Sequence, residues 1–246
     1  VRLASPKETG RIEPKTLMKD GPMTAPATIE ITDEIAVITM DDGKANAINP
    51  PMLEALNACL DQAEKEAKVV IITGREGRFS GGFDLKLMMS LPGDQVKALV
   101  DGGGKLAHRL YSFPMPVIAA CNGHGVAMGC FILLSCDVRI GTAGTFKIGA
   151  NETQINMVLP IFASELVKAR VADDFKTRSM VFGELFDPET AAKAGYLDRV
   201  VDADALLNTA KATAEAIKPL SGSSLTGNKL LLRETTLATI KASLPN

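Results

Sequence analysis

The sequence has no excess of one charge and contains only two histidines. Its 27 lysines and arginines nearly balance its 29 aspartates and glutamates, and the net charge is -2. No run of like charges occurs, whereas nucleic-acid binding needs a clustered basic face, so no nucleic-acid partner is expected. The two histidines, His108 and His124, have no Gly-x-Ser-x-Gly partner, so the sequence supports no Ser-His-Asp triad.

Cysteine is also sparse, and its spacing indicates no metal site. No Cys-x-x-Cys pair occurs, and no histidine follows a cysteine at zinc spacing. All four cysteines lie in apolar segments, so we interpret them as small buried thiols of a protein in a reducing cytoplasm. They are Cys59, Cys121, Cys130 and Cys136.

Long hydrophobic runs are missing. The most apolar stretch, residues 125–136, is too short to cross a bilayer and ends at Asp137. The start of the chain lacks the basic and then apolar pattern of a signal peptide, so we expect a cytoplasmic protein without a membrane segment. Residues 1–25 are polar, rich in proline and aperiodic, which predicts a flexible extension. Whether this extension is native stays open, since Met23 could be a start residue.

The rest of the chain alternates strand and helix patterns, as α/β proteins do. This order predicts ββα units with helices outside a core of residues 26–200, followed by a helical C-terminal region over residues 201–246. Two expected strands lie within residues 27–42 on either side of a turn at Asp33 and Glu34, and the others cover residues 69–74, 116–123, 137–141, 145–149 and 197–201. The main helices are expected over residues 50–67, 95–111, 127–136 and 203–244, with a break at 219–224.

Two segments share one plan, in which a buried strand leads through a glycine-rich turn into a helix. They are VVIITGREGRFSGGFDLKLM, residues 69–88, and PVIAACNGHGVAMGCFILLSCD, residues 116–137. Such turns expose backbone N–H groups at a helix start, where the helix dipole favours negative charge. Two turns aimed at one point would form an oxyanion hole for an enolate. Either turn alone could equally serve to tighten a connection, and neither has the ending of a phosphate loop.

With these elements in this order, residues 28–232 resemble the crotonase superfamily, the enoyl-CoA hydratase/isomerase family. The resemblance is carried by RFSGGFDLKLM, by PVIAACNGHGVAMGCFILLSCDVRIG and by GELFDPETAAKAGYLDRVVD. It implies a crotonase fold of ββα units stacked as a spiral, an acyl-CoA thioester substrate and no cofactor beyond that CoA. It also implies a homotrimer or dimer of trimers built through the C-terminal helices. Relatives usually continue beyond the point where this chain stops, Asn246, which leaves the assembly open.

The resemblance assigns the oxyanion donors to the backbone N–H groups of Phe83 and Met128. The family usually has glycine at the second position, so the Met128 side chain must turn away from the thioester or shape the acyl pocket. CoA would lie along residues 43–49 and the GGFDLK segment. The implied CoA or substrate contacts are Ala45, Gly81, Asp84, Leu85, Lys86 and Phe131.

The acidic residues distinguish two reactions. Hydratases of the family use two glutamates, whose positions match Phe131 and Glu152 here. Adding water requires groups that hold and activate a water molecule and deliver a proton, whereas moving a double bond requires only one mobile carboxyl group. The Asn-Glu-Thr-Gln run at 151–154 resembles Δ3,Δ2-enoyl-CoA isomerases, which also lack the first glutamate. We therefore predict that Glu152 is the catalytic acid/base, with a pKa raised by Phe131, Ile148 and Ile155.

Alternatives remain at this point. Glu152 could instead be a helix-start residue after Asn151, where the helix dipole favours an acid. The protein could be a hydratase that holds water in another way, or could catalyse another crotonase reaction such as a decarboxylation. It could also be a non-catalytic CoA-binding or RNA-associated relative. His124 could line the acyl site, although an isolated loop histidine is more often structural.

Overall fold

Strands in two sheets run through residues 25–245, the part of the chain that the computed structural model describes. The described strands are β1 (Ala27–Thr32), β2 (Ile35–Met40), β3 (Val69–Thr73), β4 (Gly77–Ser80), β5 (Val117–Cys121), β6 (Gly123–Val126), β7 (Val138–Thr142), β8 (Ile148–Gly149) and β9 (Arg199–Val201). The larger sheet has the order β1-β2-β3-β5-β7-β9, and the smaller has the order β4-β6-β8. The predicted extension over residues 1–25 lies outside the described residues, apart from residue 25.

The larger sheet follows the sequence pattern closely. β1 and β2 pair antiparallel around the predicted turn at Asp33 and Glu34, which adopt φ angles of 50° and 62°. The remaining neighbours pair parallel. β3 and β5 are buried along their whole length, as expected for parallel strands that are covered on both faces.

The smaller sheet was not predicted, and it corrects two expectations. Residues 116–123 were expected to form one strand, but β5 ends at Cys121 and β6 is a separate strand paired parallel with β4. The glycines in these four-residue strands look like turn residues in the sequence, yet they allow the backbones of β4 and β6 to approach closely. A Cβ on Gly123 would lie 2.0 Å from the carbonyl carbon of Gly77. The strand expected at 145–149 is also shorter and covers only β8.

Helices cover the sheets and carry the chain between strands. The predicted apolar face of the first helix is confirmed, because Met52, Leu56 and Leu60 are buried. No helix within residues 25–245 has both the length and the apolar character needed to span a bilayer. The α-helices are α1 (Pro50–Glu66), α2 (Leu85–Ser90), α3 (Gly93–Tyr111), α4 (Met128–Ser135), α5 (Ile161–Arg170), α6 (Asp173–Lys176), α7 (Pro188–Ala194), α8 (Leu206–Ile217) and α9 (Ser223–Ser243).

An ion cluster fastens α9 to the core. Asp137 accepts a hydrogen bond from Lys229 Nζ at 2.7 Å and forms an ion pair with Arg233 at 2.9 Å, and both cations are buried. Lys229 also donates to the carbonyls of Phe113 and Met115, at 2.9 and 2.8 Å. The two buried cations are therefore compensated by one carboxylate and by backbone oxygens. Asp137, which follows the apolar stretch in the sequence, thus anchors the C-terminal helix.

Replacing Asp137 with asparagine is expected to lower the free energy of unfolding by about 3–5 kcal/mol, because it leaves two buried cations without a counter-charge. Urea denaturation at neutral pH measures this change. Asp61→Asn is the matched control, since Asp61 pairs with Arg109 but is 63% exposed. It should change the same free energy by only about 0–1 kcal/mol. Equal effects of the two substitutions would show that the buried cluster does not stabilise the fold.

Candidate active site

The two glycine-rich turns meet in the structure. Gly82, in the turn between β4 and α2, adopts a φ of 89°. A Cβ on Gly82 would lie 2.7 Å from the Cβ of Ala127 and 3.2 Å from the nitrogen of Met128, both in the second turn. The absence of a side chain at Gly82 therefore lets the backbones of the two turns touch. This is the juxtaposition that an oxyanion hole requires.

Each turn presents a backbone amide that has no acceptor among the described residues. The carbonyl of Gly82 accepts from the amide of Ile48, and the amide of Asp84 donates to the carbonyl of Ile48. Phe83 lies between them in extended backbone, so its own amide points away from Ile48. Met128 is the first residue of α4, and its N–H has no acceptor within the helix. Among the hydrogen bonds of residues 25–245, neither of these two amides has an acceptor. Two donors are thus available where the turns meet.

Backbone strain is concentrated just before the second donor. Ala127 has φ 50° and ψ -124°, a conformation that residues other than glycine rarely adopt. The residue is held there by its neighbours, because its amide donates to Gly149 at 3.0 Å and its carbonyl accepts from Cys130 at 2.9 Å. Such an outlier costs about 1–3 kcal/mol and commonly marks a functional site. The strain fixes the direction of the Met128 amide.

The Met128 side chain points away from the turn. It is buried, and its sulfur lies 3.2 Å from the position that a Cβ on Gly103 of α3 would occupy. The ring of Phe83 reaches the same glycine, because a Cβ on Gly103 would lie 2.5 Å from the terminal ring carbon of Phe83. Gly103 therefore makes room for both side chains, and a methionine can follow the turn without blocking it.

An apolar cavity of about 190 Å³ opens beside the two turns. Gly81 and Phe83 line it from the first turn, Ala127 from the second, and Phe131 from α4. Glu152 is the single ionisable side chain among the described residues that line it. The cavity therefore brings a carboxyl group and both turns to one apolar space.

Glu152 is buried with little to stabilise its charge. Its side chain is 7% exposed, and its Oε2 atom has no hydrogen-bond partner among the described residues. Burial raises the pKa of Glu152, and its own backbone amide opposes the shift. Glu152 does begin a 3-10 helix, Glu152–Ile155, but the side chain of Asn151 makes no capping hydrogen bond. The helix-start reading thus explains the position of Glu152 in the chain but not its burial.

Comparison with known proteins identifies the family. The family model described as enoyl-CoA hydratase/isomerase matches residues 30–237. The chain belongs to this family. It is similar to a crystal structure of an enoyl-CoA hydratase/isomerase family protein from Pseudomonas syringae, with 43% identity, a TM-score of 0.87, and coverage of 90% of this chain and 96% of that one. The crotonase fold with a C-terminal helical region is thereby confirmed.

Relatives with different descriptions also match. The human mitochondrial delta3-delta2-enoyl-CoA isomerase has a TM-score of 0.82 and 26% identity over 88% of this chain and 86% of that chain. A probable enoyl-CoA hydratase from Bacillus subtilis is 36% identical over 139 residues, which are 55% of this chain and 53% of that protein. The alignment thus spans about half of the length of the Bacillus protein. Similarity alone does not separate the two reactions within the enoyl-CoA hydratase/isomerase family.

Of the CoA-contact positions expected from the family pattern, Gly81, Leu85 and Phe131 line the cavity, and we call residues 43–49 and 81–86 its rim. The amide of Gly81 donates to the carbonyl of Ala45 at 2.8 Å, which joins the 43–49 loop to the first turn. Leu85 is half exposed and lines the cavity, and Lys86 is exposed one residue further. The carboxylate of Asp84 caps α2 by accepting from Leu87 at 3.0 Å. Asp84 therefore has a structural task besides any contact with CoA.

Asn46 organises this rim, and the sequence pattern did not reveal it. Its side chain is fully buried and donates to the carbonyls of Met40, Arg78 and Phe79. Its φ of 51° suits asparagine, which tolerates the left-handed region better than most residues. These contacts hold the 43–49 loop on β4. A lone asparagine in a polar loop could have been recognised only as a turn residue.

Ile148 and the two histidines lie apart from the cavity. Ile148 is buried in the core, so only Phe131 and Ile155 of the three expected neighbours share the cavity lining with Glu152. His124 accepts from the amide of Lys147 at 3.0 Å and packs edge-on against Phe146, so it stabilises the β6–β8 region. His108 is half buried on α3, and burial lowers its pKa.

Proposed function

We propose that this enzyme shifts a double bond in an enoyl-CoA thioester and uses Glu152 as its only acid/base. The observation that carries this proposal is the chemistry of the cavity lining, in which Glu152 is the single ionisable side chain among the described residues. At the position of the other hydratase glutamate, the chain presents the ring of Phe131 to the same cavity. A phenyl ring neither activates a water molecule nor carries a proton.

The reaction follows from the placement of the donors and the acid. The thioester oxygen accepts hydrogen bonds from the amides of Phe83 and Met128, which makes the C2 proton of a 3-enoyl thioester more acidic. The Glu152 carboxylate removes that proton, the electrons of the C2–H bond form a C1=C2 bond, and the C=O electrons move to the oxygen held by the two amides, which gives the dienolate. When the carbonyl re-forms, the C1=C2 electrons become the C2=C3 bond. The former C3=C4 electrons take up the proton at C4, which Glu152 returns. No other atom enters or leaves, so one carboxyl group completes the cycle.

The raised pKa of Glu152 suits this cycle. An acid with an ordinary pKa would hold the proton weakly during the lifetime of the dienolate. Because burial disfavours the charged form, the protonated carboxyl is closer in energy to the carboxylate near neutral pH. The apolar wall that contains Phe131 therefore shapes the acyl space and also adjusts the acid.

CoA is proposed to lie along the rim formed by Ala45, Gly81 and residues 84–86. The support is that Gly81 and Leu85 line the cavity, that Gly81 is hydrogen-bonded to Ala45, and that Lys86 is exposed beside Leu85. Small residues at positions 45 and 81 leave backbone groups accessible, and glycine permits close approach of a ligand. The acyl chain would then enter the apolar cavity with its carbonyl between the two turns.

A substrate panel separates isomerisation from hydration, the reaction suggested by the description of the Bacillus subtilis relative. We expect kcat/KM for converting 3-enoyl-CoA to 2-enoyl-CoA to exceed that for hydrating 2-enoyl-CoA of equal chain length by at least about a hundredfold, the usual contribution of a general acid/base. Product analysis by chromatography counts the shifted and hydrated thioesters directly. Faster hydration than isomerisation would refute the choice of isomerase and favour the hydratase.

A further inference from the structure

Three buried side-chain oxygen atoms, one of them on Glu152 itself, are unpaired in the described part of the chain. Among the described residues, Glu152 Oε2, Ser179 Oγ and Tyr196 Oη have no hydrogen-bond partner. Ser179 and Tyr196 are fully buried, and neither lines the cavity. Buried polar atoms are nearly always paired, since an unpaired one costs about 1–3 kcal/mol. Three such atoms in one region call for a common explanation.

These groups come from distant parts of the chain to one place. Tyr196 directly follows Gly195, which ends α7, and its ring packs on Phe186 at 6.0 Å between centroids. Its hydroxyl faces the hydroxyl of Ser179, in the π-helix Thr177–Val181, without reaching hydrogen-bond geometry. It also faces the backbone amide of Ala150, two residues before Glu152. The π-helix itself contacts the segment that carries the proposed base, because the hydroxyl of Thr153 donates to the carbonyl of Met180 at 3.1 Å.

The charge of Glu152 reaches the same group of residues. The titratable side chains that it influences are Tyr196, from the turn after α7, and Cys130, from α4. Burial is the largest cause that raises the pKa of each, so both are neutral near pH 7. Tyr196 therefore keeps its proton and can act as a donor. A neutral donor next to a buried carboxylate stabilises the charged form and restricts its orientation.

We propose that Tyr196 is a positioning residue for Glu152 and acts through one internal water that it shares with Ser179. This proposal deepens the proposed function, because it rests on Glu152 as the base. The Tyr196 hydroxyl donates to the water, and the water donates to Glu152 Oε2 and to Ser179 Oγ. An internal water typically makes about three hydrogen bonds to buried polar groups, which matches the three unpaired oxygens. The second carboxylate oxygen is then held for the substrate.

The test compares Tyr196→Phe and Ser179→Ala with the wild type. Removing the tyrosine hydroxyl should raise the pKa of Glu152 by about one unit, the size expected from losing one hydrogen bond to a carboxylate. The acidic limb of the kcat/KM profile for 3-enoyl-CoA should move upward by the same amount, with KM little changed. Ser179→Ala should move both in the same direction by less. Tyr111→Phe is the matched control, because Tyr111 is the only other tyrosine of the chain and lies beside Arg233.

A direct titration keeps this proposal separate from the proposed function. The Glu152 carboxyl carbon can be followed by 13C NMR, with its signal assigned from its loss in Glu152→Gln. If the wild type fails to turn over 3-enoyl-CoA, the proposed function fails, yet the titration still reports the influence of Tyr196. A Glu152 pKa that is unchanged in both Tyr196→Phe and Ser179→Ala would overturn the positioning role, even if thermal stability fell.

Discussion

Glu152→Gln is expected to lower kcat for double-bond migration by at least about a hundredfold, in line with the contribution of general acid–base catalysis. Glutamine has nearly the same shape as the acid but neither removes nor returns a proton at C2 or C4. KM should change little, because the apolar cavity and both backbone donors remain. Steady-state assays with 3-enoyl-CoA measure the two constants. Glu54→Gln, an exposed position on α1, is the matched control and should retain full activity.

The same substitution has an expected signature in stability. Burial raises the pKa of Glu152 above its unfolded value, so folding favours the neutral carboxyl. The wild type therefore loses the corresponding stability as the pH rises through the folded pKa, whereas glutamine does not titrate. Glu152→Gln should unfold at a higher temperature than the wild type above that pKa. Below the unfolded pKa, this advantage should disappear.

These two measurements discriminate among the remaining functions. Lower kcat combined with higher stability is typical of an acid kept in an unfavourable site for catalysis. Retained CoA binding without turnover in either protein would instead support a non-catalytic relative. Normal turnover in Glu152→Gln would remove Glu152 from the mechanism altogether. In that case another group would have to supply the proton transfer.

Sequence reasoning proposed Glu152 as the base and named Phe131 and Ile155 among its apolar neighbours, and both share the cavity lining with it. It did not name Met88 of α2 or Val100 of α3, which line the same cavity from distant parts of the chain. Tyr196 and Ser179 approach the same segment from still more distant positions. Neither has a local pattern that marks such a contact. Short-range signals thus identified the reactive residue type, while its environment is a property of the tertiary structure.

The same distinction applies to the fold. A continuous β-branched run predicted β3, and alternating β-branched residues on both sides of Asp33 and Glu34 predicted β1, β2 and the turn between them. Both patterns depend on local preferences. β4 and β6 were missed because their glycines resemble turn residues when the partner strand is not known. The strained conformation of Ala127 was also invisible, since alanine gives no signal of a positive φ. The structure imposes it through contacts with Gly149 and with the first turn of α4.

Gly82→Ala is expected to lower kcat by about 10²–10³-fold, the usual effect of losing one oxyanion-hole donor. The new Cβ would lie 2.7 Å from the Cβ of Ala127 and 3.2 Å from the nitrogen of Met128. The two turns must therefore move apart, which withdraws at least one amide from the thioester oxygen. Glu152 remains in place, so the acidic limb of the pH profile should stay where the wild type has it.

Gly77→Ala separates this steric effect from backbone strain. Gly77 has a φ of 72°, close to the 89° of Gly82. A new Cβ at Gly77, however, would meet no atom closer than a ring carbon of Phe146 at 3.9 Å. Both alanine variants should therefore lose stability from the positive φ, whereas only Gly82→Ala should lose kcat. Equal losses of kcat in the two variants would mean that general destabilisation, rather than the contact between the turns, limits the reaction. If Gly82→Ala kept full kcat, the Phe83 and Met128 amides would not hold the oxyanion.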